Sequence, residues 1–173
     1  MADGDLIQAD DIAGYPGAPY VAGVLTAAGQ AIRAECGWHI APNRPETLTV
    51  EAESRKYLFL PTLALTAVTE IRDMTYDAPQ VVTGYSFKAN GIITRTFTGV
   101  GFVPGHLYEV DVEHGFTSVP TDLLSAASSI ARSAAGERVT QSKQLGPGQV
   151  TYADLSTGTD LGSPLDPYRL LTV

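Results

Sequence analysis

Two alanine-rich helical patterns, separated by a long run of short strand patterns, constrain the fold of this chain more than any other feature. Residues 20–36 repeat apolar side chains at three- and four-residue spacing, and Gly37 stands where a left-handed residue would end a helix. A second stripe of Leu, Ile and Ala follows Pro120, over residues 121–135. Because small side chains allow helices to approach closely, we expect these two helices to pack together.

The residues between the helices, 38–119, are predicted to be an insertion of strands and turns. The 17 Gly and 11 Pro residues favour many turns. Asn90-Gly91, between apolar runs at 80–87 and 92–97, is typical of a two-residue hairpin turn. The six short strand patterns predict a small antiparallel sandwich or barrel, so the expected fold class is α+β.

Both ends of the chain differ in composition from the central helix–sheet–helix region. The N-terminal arm is acidic and irregular, with Leu6, Ile7 and Ile12 as a short apolar patch that could dock. After the second helix come a polar, β-prone segment around Gly-Pro-Gly and then a linker rich in Ser, Thr and Gly that ends in an apolar tail. The predicted boundaries are 1–19 for the arm, 20–136 for a single domain, 137–153 for an extended hairpin and 154–173 for the linker and docking tail.

Charge and cysteine content exclude several classes of protein. The net charge of −8 and the isoelectric point of about 4.7 weigh against a protein that grips nucleic acid or an anionic membrane. The single Cys36 excludes an internal disulfide framework. The N-terminus lacks the basic residues of a signal peptide, and no apolar stretch has the length of a membrane helix. We therefore expect a soluble protein made in a cytoplasm. Only 17% of residues are charged, which suggests a surface partly covered by a partner.

The motifs of common enzymes, such as a nucleophile elbow, a phosphate-binding loop or His-Glu-x-x-His, do not occur in the sequence. His39, His106 and His114 lie far apart, so each is interpreted as a loop or strand-end residue rather than a metal ligand. Cys36 near His39 would allow a thiolate–imidazole pair, but a cysteine at the end of an apolar stripe is more often buried and structural. Trp38 is interpreted as a plug at the helix end, with an interface anchor as the alternative.

Three acidic residues, Glu109, Asp111 and Glu113, alternate with apolar residues in the last predicted strand. Three carboxylates in a row would suit Ca²⁺. Such a row is more often the solvated face of an edge strand, and the sequence predicts that arrangement here.

Two other classes of function remain open on residue chemistry alone. A carbohydrate- or surface-binding β module would need a row of exposed aromatic residues, for which Tyr57, Tyr85 and Tyr108 are the candidates. A small hydrolase would need a catalytic motif, and none is evident.

Two stretches resemble landmarks of a known family. Ala-Glu-Cys-Gly-Trp-His-Ile-Ala-Pro, residues 34–42, resembles the end of the first helix in the head-to-tail connector, or adaptor, proteins of long-tailed bacteriophages, especially those that infect actinobacteria. Val-Glu-His-Gly-Phe-Thr-Ser-Val-Pro-Thr-Asp, residues 112–122, resembles the strand end and Val-Pro entry to the second helix of that family. The resemblance covers residues 20–152. The charged final helix of the family is replaced here by the linker and tail of residues 154–173.

The resemblance implies a non-enzymatic virion protein of the phage neck, without cofactors or catalytic residues. Such adaptors form a ring, generally of twelve copies, below the portal protein. The ring extends the DNA channel, lets DNA pass without specific binding and docks the head-tail stopper or another neck protein. Assembly would take place in the bacterial host cytoplasm, without a membrane partner. An acidic channel wall, which repels DNA phosphates, agrees with the net charge.

The joints between subunits are expected in the hairpin and tail, because these segments hold too few apolar residues to form a core and offer unpaired backbone groups to a neighbouring strand. The alternative is a pair of disordered loops. The predicted subunit or portal interface residues are Arg138, Lys143, Leu145, Gln149, Val150, Tyr152, Tyr168, Leu170, Leu171 and Val173. The predicted structural residues are Cys36, Gly37, Trp38, His114, Gly115 and Pro120.

Overall fold

A computed structural model describes residues 5–96, 101–134 and 162–170, and the chain divides into two compact units. The helical unit comprises Met1–Gly37 and Val119–Arg169, and the β unit comprises Trp38–Ser118 and Leu170–Val173. The strands are therefore inserted between the two long helices, and the α+β class is confirmed. Within the described ranges, none of the helices has the length and apolar content of a membrane span.

The helical unit is built on two helices that pack against each other, α1 at Ala22–Cys36 and α2 at Thr121–Ala134. Helix α1 begins two residues later than predicted, because Val21 is still extended. It ends at Gly37, which has a φ of 79° and donates its N–H to the carbonyl oxygen of Arg33 at 2.8 Å. The predicted left-handed helix end and the predicted helix pair are both confirmed. The buried residues of the pair are mostly small or aliphatic: Leu25, Ala28, Gly29, Ile32, Cys36, Leu123, Ala126, Ala127, Ser128 and Ala131.

The N-terminal arm adds to this helical core. Leu6, Ile7 and Ile12 are buried, and a short 3₁₀ helix spans Asp10–Ile12. A Cβ atom placed on Gly29 would lie 3.0 Å from the Cβ of Leu6, so the arm approaches α1 at a position without a side chain. The predicted docking of this apolar patch is confirmed.

The C-terminal end also folds, where the sequence predicted a flexible linker through residue 166. Helix α3, Gly162–Leu165, packs against α1 and α2 and continues into a 3₁₀ helix at Asp166–Tyr168. Leu165 is only 2% exposed. The expectation is wrong here because it rested on a composition rich in Gly, Ser and Pro. One apolar side chain, Leu165, is buried and is enough to hold a single helical turn in place.

The described part of the β unit contains seven strands in two antiparallel sheets. The strands are β1 Arg44–Glu51, β2 Tyr57–Phe59, β3 Leu65–Asp73, β4 Gln80–Val81, β5 Tyr85–Phe87, β6 Ile92–Arg95 and β7 Leu107–His114. The first sheet has the order β1-β7-β3-β4 and the second has the order β2-β6-β5. Both sheets contribute to one apolar core, which includes Leu58, Ile71, Ile93 and Val110. The described strands therefore form two open sheets and not the alternative barrel.

A hairpin turn joins β5 and β6 at the predicted place, but the predicted two-residue Asn90-Gly91 turn is wrong, because the loop has three residues, 89–91, and Asn90 does not have a positive φ. The N–H of Gly91 donates to the carbonyl oxygen of Lys88 at 3.1 Å, and Gly91 has a φ of 79°. The run before this turn, predicted as one strand over 80–87, is instead divided between β4 and β5, which belong to different sheets. Gly84, with a φ of 74°, lies at the change of direction between them.

Candidate assembly surfaces

Of the predicted structural residues at the end of α1, Cys36 and Trp38 are buried and Gly37 is exposed. Burial raises the pKa of the Cys36 thiol to about 11, so the thiol is neutral at physiological pH and is not an activated nucleophile. Trp38 is 5% exposed, and its ring centroid lies 6.0 Å from that of Phe116 within the β unit. Pro120 directly precedes α2 and accepts a hydrogen bond from the N–H of Leu123 at 3.0 Å.

His114, at the end of β7, lies in a buried hydrogen-bond network that sequence reasoning missed. Its Nε2 lies 2.9 Å from a carboxylate oxygen of Glu46, and its Nδ1 lies 3.2 Å from the hydroxyl of Thr62. The hydroxyl of Thr62 also accepts the N–H of Ala64 at 3.2 Å, so it joins the histidine to the loop that precedes β3. The histidine is thus satisfied as a structural residue.

Glu46 completes this network on the side of β1. Burial raises the pKa of Glu46, but hydrogen bonds from His114 and Arg44 outweigh that effect and hold the pKa below its usual value. The Arg44 guanidinium lies 2.8 Å from the same carboxylate. The sequence held one indication that Glu46 points inward. Side chains two residues apart lie on the same face of a strand, so Glu46 shares the face of Leu48 and Val50, which pack against the core.

Gly115 follows His114 and allows a close approach of two chain segments. It has a φ of 103°, and a Cβ atom there would lie 3.0 Å from the carbonyl oxygen of Pro42. Its N–H donates to Ala64 at 2.8 Å, and the N–H of Phe116 donates to Ile40 at 2.7 Å. The His-Gly-aromatic motif therefore fastens the end of β7 inside the β unit.

The three histidines do not form a catalytic or metal site among the described residues. The rings of His39 and His114 lie 5.7 Å apart although the two residues are distant in sequence, whereas the Nδ1 of His106 lies 2.8 Å from Asp73 instead. Asp73 is buried, which raises its pKa, but hydrogen bonds from His106 and Thr75 outweigh burial and lower it. In the parts of the chain that the structure describes, His, Cys, Asp and Glu nowhere group in threes that could hold a metal ion.

The acidic row of β7 lies in the middle of the first sheet, so the prediction of an edge strand is wrong. β7 pairs with β1 on one side and with β3 on the other. Arg72 of β3 makes contacts of 2.7 Å with Asp111 and 3.3 Å with Glu109, and it also pairs with Glu70. Hydrogen bonds from Thr47 and Arg72 lower the pKa of Asp111. A guanidinium therefore occupies the position among these carboxylates that a cation would take.

This surface of the first sheet, called the acidic face below, is the main charged feature of the β unit. Strand register places the side chains of β1, β7 and β3 on it in alternation. Its only described arginine is Arg72. Its acidic residues are Glu51, Glu70, Glu109, Asp111 and Glu113.

The three tyrosines considered for carbohydrate binding do not form a platform. Tyr108 is 2% exposed and its hydroxyl accepts the N–H of Val103 at 2.9 Å. Tyr85 is half-buried against the core. Tyr57 is exposed beside Phe59, with ring centroids 6.3 Å apart. Because the three rings do not share one exposed face, nothing in their placement favours a sugar-binding module.

Most of the predicted interface residues lie outside the described residues. These are Arg138, Lys143, Leu145, Gln149, Val150, Tyr152, Leu171 and Val173. Tyr168 donates from its hydroxyl to both carboxylate oxygens of Asp122 in α2 at 2.8 Å, and Arg169 pairs with Glu35 of α1. Burial and this hydrogen bond raise the pKa of Tyr168 to about 12. Leu170 is half-buried.

Chains of similar fold occur in solved structures of gene transfer agent necks and virions. One such chain belongs to the neck of an empty gene transfer agent particle computed with C6 symmetry. It aligns with a TM-score of 0.65 and 17% identity, and the alignment covers 100% of this chain and 94% of that chain. A second comes from the neck of a native particle computed with C12 symmetry, with a TM-score of 0.59 at 18% identity, over 100% of this chain and 97% of that chain. A third, from the virion of the native gene transfer agent particle, has a TM-score of 0.58 at 18% identity, over 88% of this chain and 79% of that chain.

A family model for head completion proteins matches residues 12–157, and the chain belongs to this family. The predicted relationship to phage head-to-tail connector proteins is confirmed. No curated protein matches the sequence.

Proposed function

We propose that this chain is the head-to-tail adaptor of a phage neck, a non-enzymatic virion protein that forms a ring below the portal. The observation that carries the proposal is the family match over residues 12–157, which spans both units. The fold similarity to neck subunits over 100% of the chain supports it. In this role the ring has twelve copies, extends the DNA channel and presents a surface to the stopper or another neck protein.

The charge distribution supports a channel through which DNA passes without specific binding. The net charge is −8, and the acidic face carries five carboxylates, three of which contact Arg72. Such a surface repels phosphates, so it does not retain DNA. The assembled ring is therefore a conduit and a docking platform, built in the host cytoplasm and retained in the virion.

The contacts between subunits are assigned to residues 137–152 and the tail. The in-chain bonds of Tyr168 and Arg169 tie the described part of the tail to the helical unit, so residues 137–152 are the better candidate for a joint. That segment reads Glu-Arg-Val-Thr-Gln-Ser-Lys-Gln-Leu-Gly-Pro-Gly-Gln-Val-Thr-Tyr and has only three aliphatic side chains. It therefore gains most of its contacts from a partner.

Quantitative mass spectrometry of purified particles tests the proposal. The expected result is one copy of this chain for each portal subunit, together with loss of tail attachment when the gene is deleted. A variant with residues 140–150 replaced by a Gly/Ser linker of equal length should keep its melting temperature but fail to enter necks. Absence of the chain from particles, or its location at the tail tip, would contradict the adaptor role. Normal incorporation of the linker variant would contradict only the assignment of the joint.

A further inference from the structure

The first sheet ends in two very different edges. At one edge lies β4, which has only two residues, Gln80 and Val81. At the other lies β1, which has eight residues and, among the residues described, pairs only with β7. Very short edge strands are a common protection against unwanted strand addition. β1 lacks that protection, and none of its eight residues is buried.

The backbone groups that β1 leaves open can be identified from the ladder. In an antiparallel pair, alternate residues bond to the partner strand and the residues between them point away. The N–H of Ala52 donates to His106 at 3.0 Å, which continues the ladder between β1 and β7 and places the even-numbered residues of β1 in it. The amides of Thr47, Thr49 and Glu51 therefore point outward. Pro45 also lies at an outward position of β1. Proline has no backbone N–H and is tolerated there, because no hydrogen bond to β7 is lost.

Charge indicates which segment of the chain fits beside this edge. The side chains of Thr47, Thr49 and Glu51 lie on the acidic face, next to the carboxylates of β7. Residues 138–152 contain Arg138 and Lys143 and no Asp or Glu, although the whole chain has 19 acidic and 11 basic residues. In an extended strand, Arg138, Thr140 and Ser142 of this segment lie on one face, where one basic and two hydroxyl side chains suit the carboxylates and threonines of the acidic face.

We infer that the open edge of β1 receives residues 138–144 of a neighbouring copy as an added strand. This inference rests on the proposed ring, in which one patch of a subunit meets a different patch of the next. Backbone hydrogen bonds to the amides of Thr47, Thr49 and Glu51 provide the attachment. The acidic face provides the selectivity for Arg138, which lies on the same face of the added strand as Thr140 and Ser142. The first sheet thus continues from subunit to subunit.

Amide hydrogen exchange, on the isolated chain and on the chain in purified particles, tests this site directly. Exchange at Thr47, Thr49 and Glu51 should slow by about tenfold or more in particles. Particles that contain the chain but leave these amides unprotected would overturn the inference and leave the adaptor role intact. Particles without the chain would remove the ring, and the inference with it.

A pair of substitutions at one position separates the backbone contact from the side chain. Thr49→Pro removes the outward amide without removing a bond to β7, so it should reduce incorporation into necks about tenfold or more. Thr49→Val keeps the amide and should incorporate normally. Equal incorporation of the two variants would contradict strand addition. Comparison of the melting temperatures of the isolated variants shows whether Thr49→Pro has instead destabilised the β unit.

Cysteine cross-linking distinguishes a neighbouring copy from the same chain. Thr47→Cys and Ser142→Cys are produced as separate, differently tagged chains in the same cells, and particles are treated with a short thiol cross-linker. Cross-linked pairs of the two tags are expected, and a Thr69→Cys control on β3 should give few. The native Cys36 is buried and does not compete. Cross-linking confined to a single chain that carries both substitutions would overturn the inference.

Discussion

The helical unit and the β unit are stabilised by different kinds of buried contact. The helix pair buries mainly Leu, Ile and Ala, with Cys36 and Ser128. The β unit buries Thr62, Asp73 and His114 together with its apolar core. Closely packed small side chains leave no room for added volume, whereas a buried hydrogen-bond network is sensitive to the loss of one partner. The helix pair should therefore be sensitive to added volume, and the polar network of the β unit should be sensitive to the loss of a partner.

The largest effect is expected in the β unit, at the turn between β5 and β6. A Cβ atom on Gly91 would press on the carbonyl oxygen of Thr62 and lie 2.7 Å from that of Leu60, in a backbone with a φ of 79°. Gly91→Ala should therefore lower the free energy of unfolding by about 3 kcal/mol. Gly84→Ala is the matched control, because its φ is 74° and a Cβ atom would meet nothing within 4 Å. It should cost about 1 kcal/mol. Equal losses in urea unfolding would show that the turn accommodates the methyl group.

The corresponding test in the helical unit adds volume at the centre of the helix contact. Ala127 of α2 is fully buried, so Ala127→Leu should overpack the pair and lower the free energy of unfolding by about 2 kcal/mol. Ala27 is exposed on α1, and Ala27→Leu should change stability by less than about 0.5 kcal/mol. An unchanged melting temperature for Ala127→Leu would show that the two helices do not pack as closely as the structure has them.

Loss of the Glu46 carboxylate should lower the free energy of unfolding by an amount that depends on pH. The folded pKa of Glu46 is below its ordinary value of 4.5, so its carboxylate stabilises the fold above that pH, and this contribution is lost as the pH falls through the folded pKa. Glu46→Gln should be less stable by about 1 kcal/mol at pH 7, a modest figure because Glu46 is partly exposed. The difference from the parent chain should shrink below pH 4.5. A constant difference from pH 3 to pH 7 would contradict the charged hydrogen bond.

The difference between local and long-range contacts explains which parts of the structure were predictable from sequence. The two helices taken singly, the left-handed Gly37 and the presence of a turn near Gly91 are local features, because residues a few positions apart determine them. The neutralisation of Asp111 by Arg72 and the bond from Glu46 to His114 join residues that only strand register brings together. The placement of β7 in the middle of the sheet was missed for the same reason, since an alternating strand has the same pattern at an edge or at the centre.

The smallest effect is expected at the C-terminal end, where the sequence predicted a free tail and the structure has a docked one. The hydroxyl of Tyr168 donates to Asp122, and both groups are near the surface, so Tyr168→Phe should cost only about 0.5 kcal/mol. The pKa of Tyr168 is raised from 10 to about 12, so this contribution is complete below pH 10 and declines as the pH rises toward 12. Tyr76, which is 53% exposed in the β unit, gives the control Tyr76→Phe, expected to be neutral. Chemical denaturation of the three chains at pH 7 measures the difference. If Tyr168→Phe is as neutral as the control, the hydroxyl contact with α2 contributes nothing, and the tail is available for a partner as the sequence first indicated.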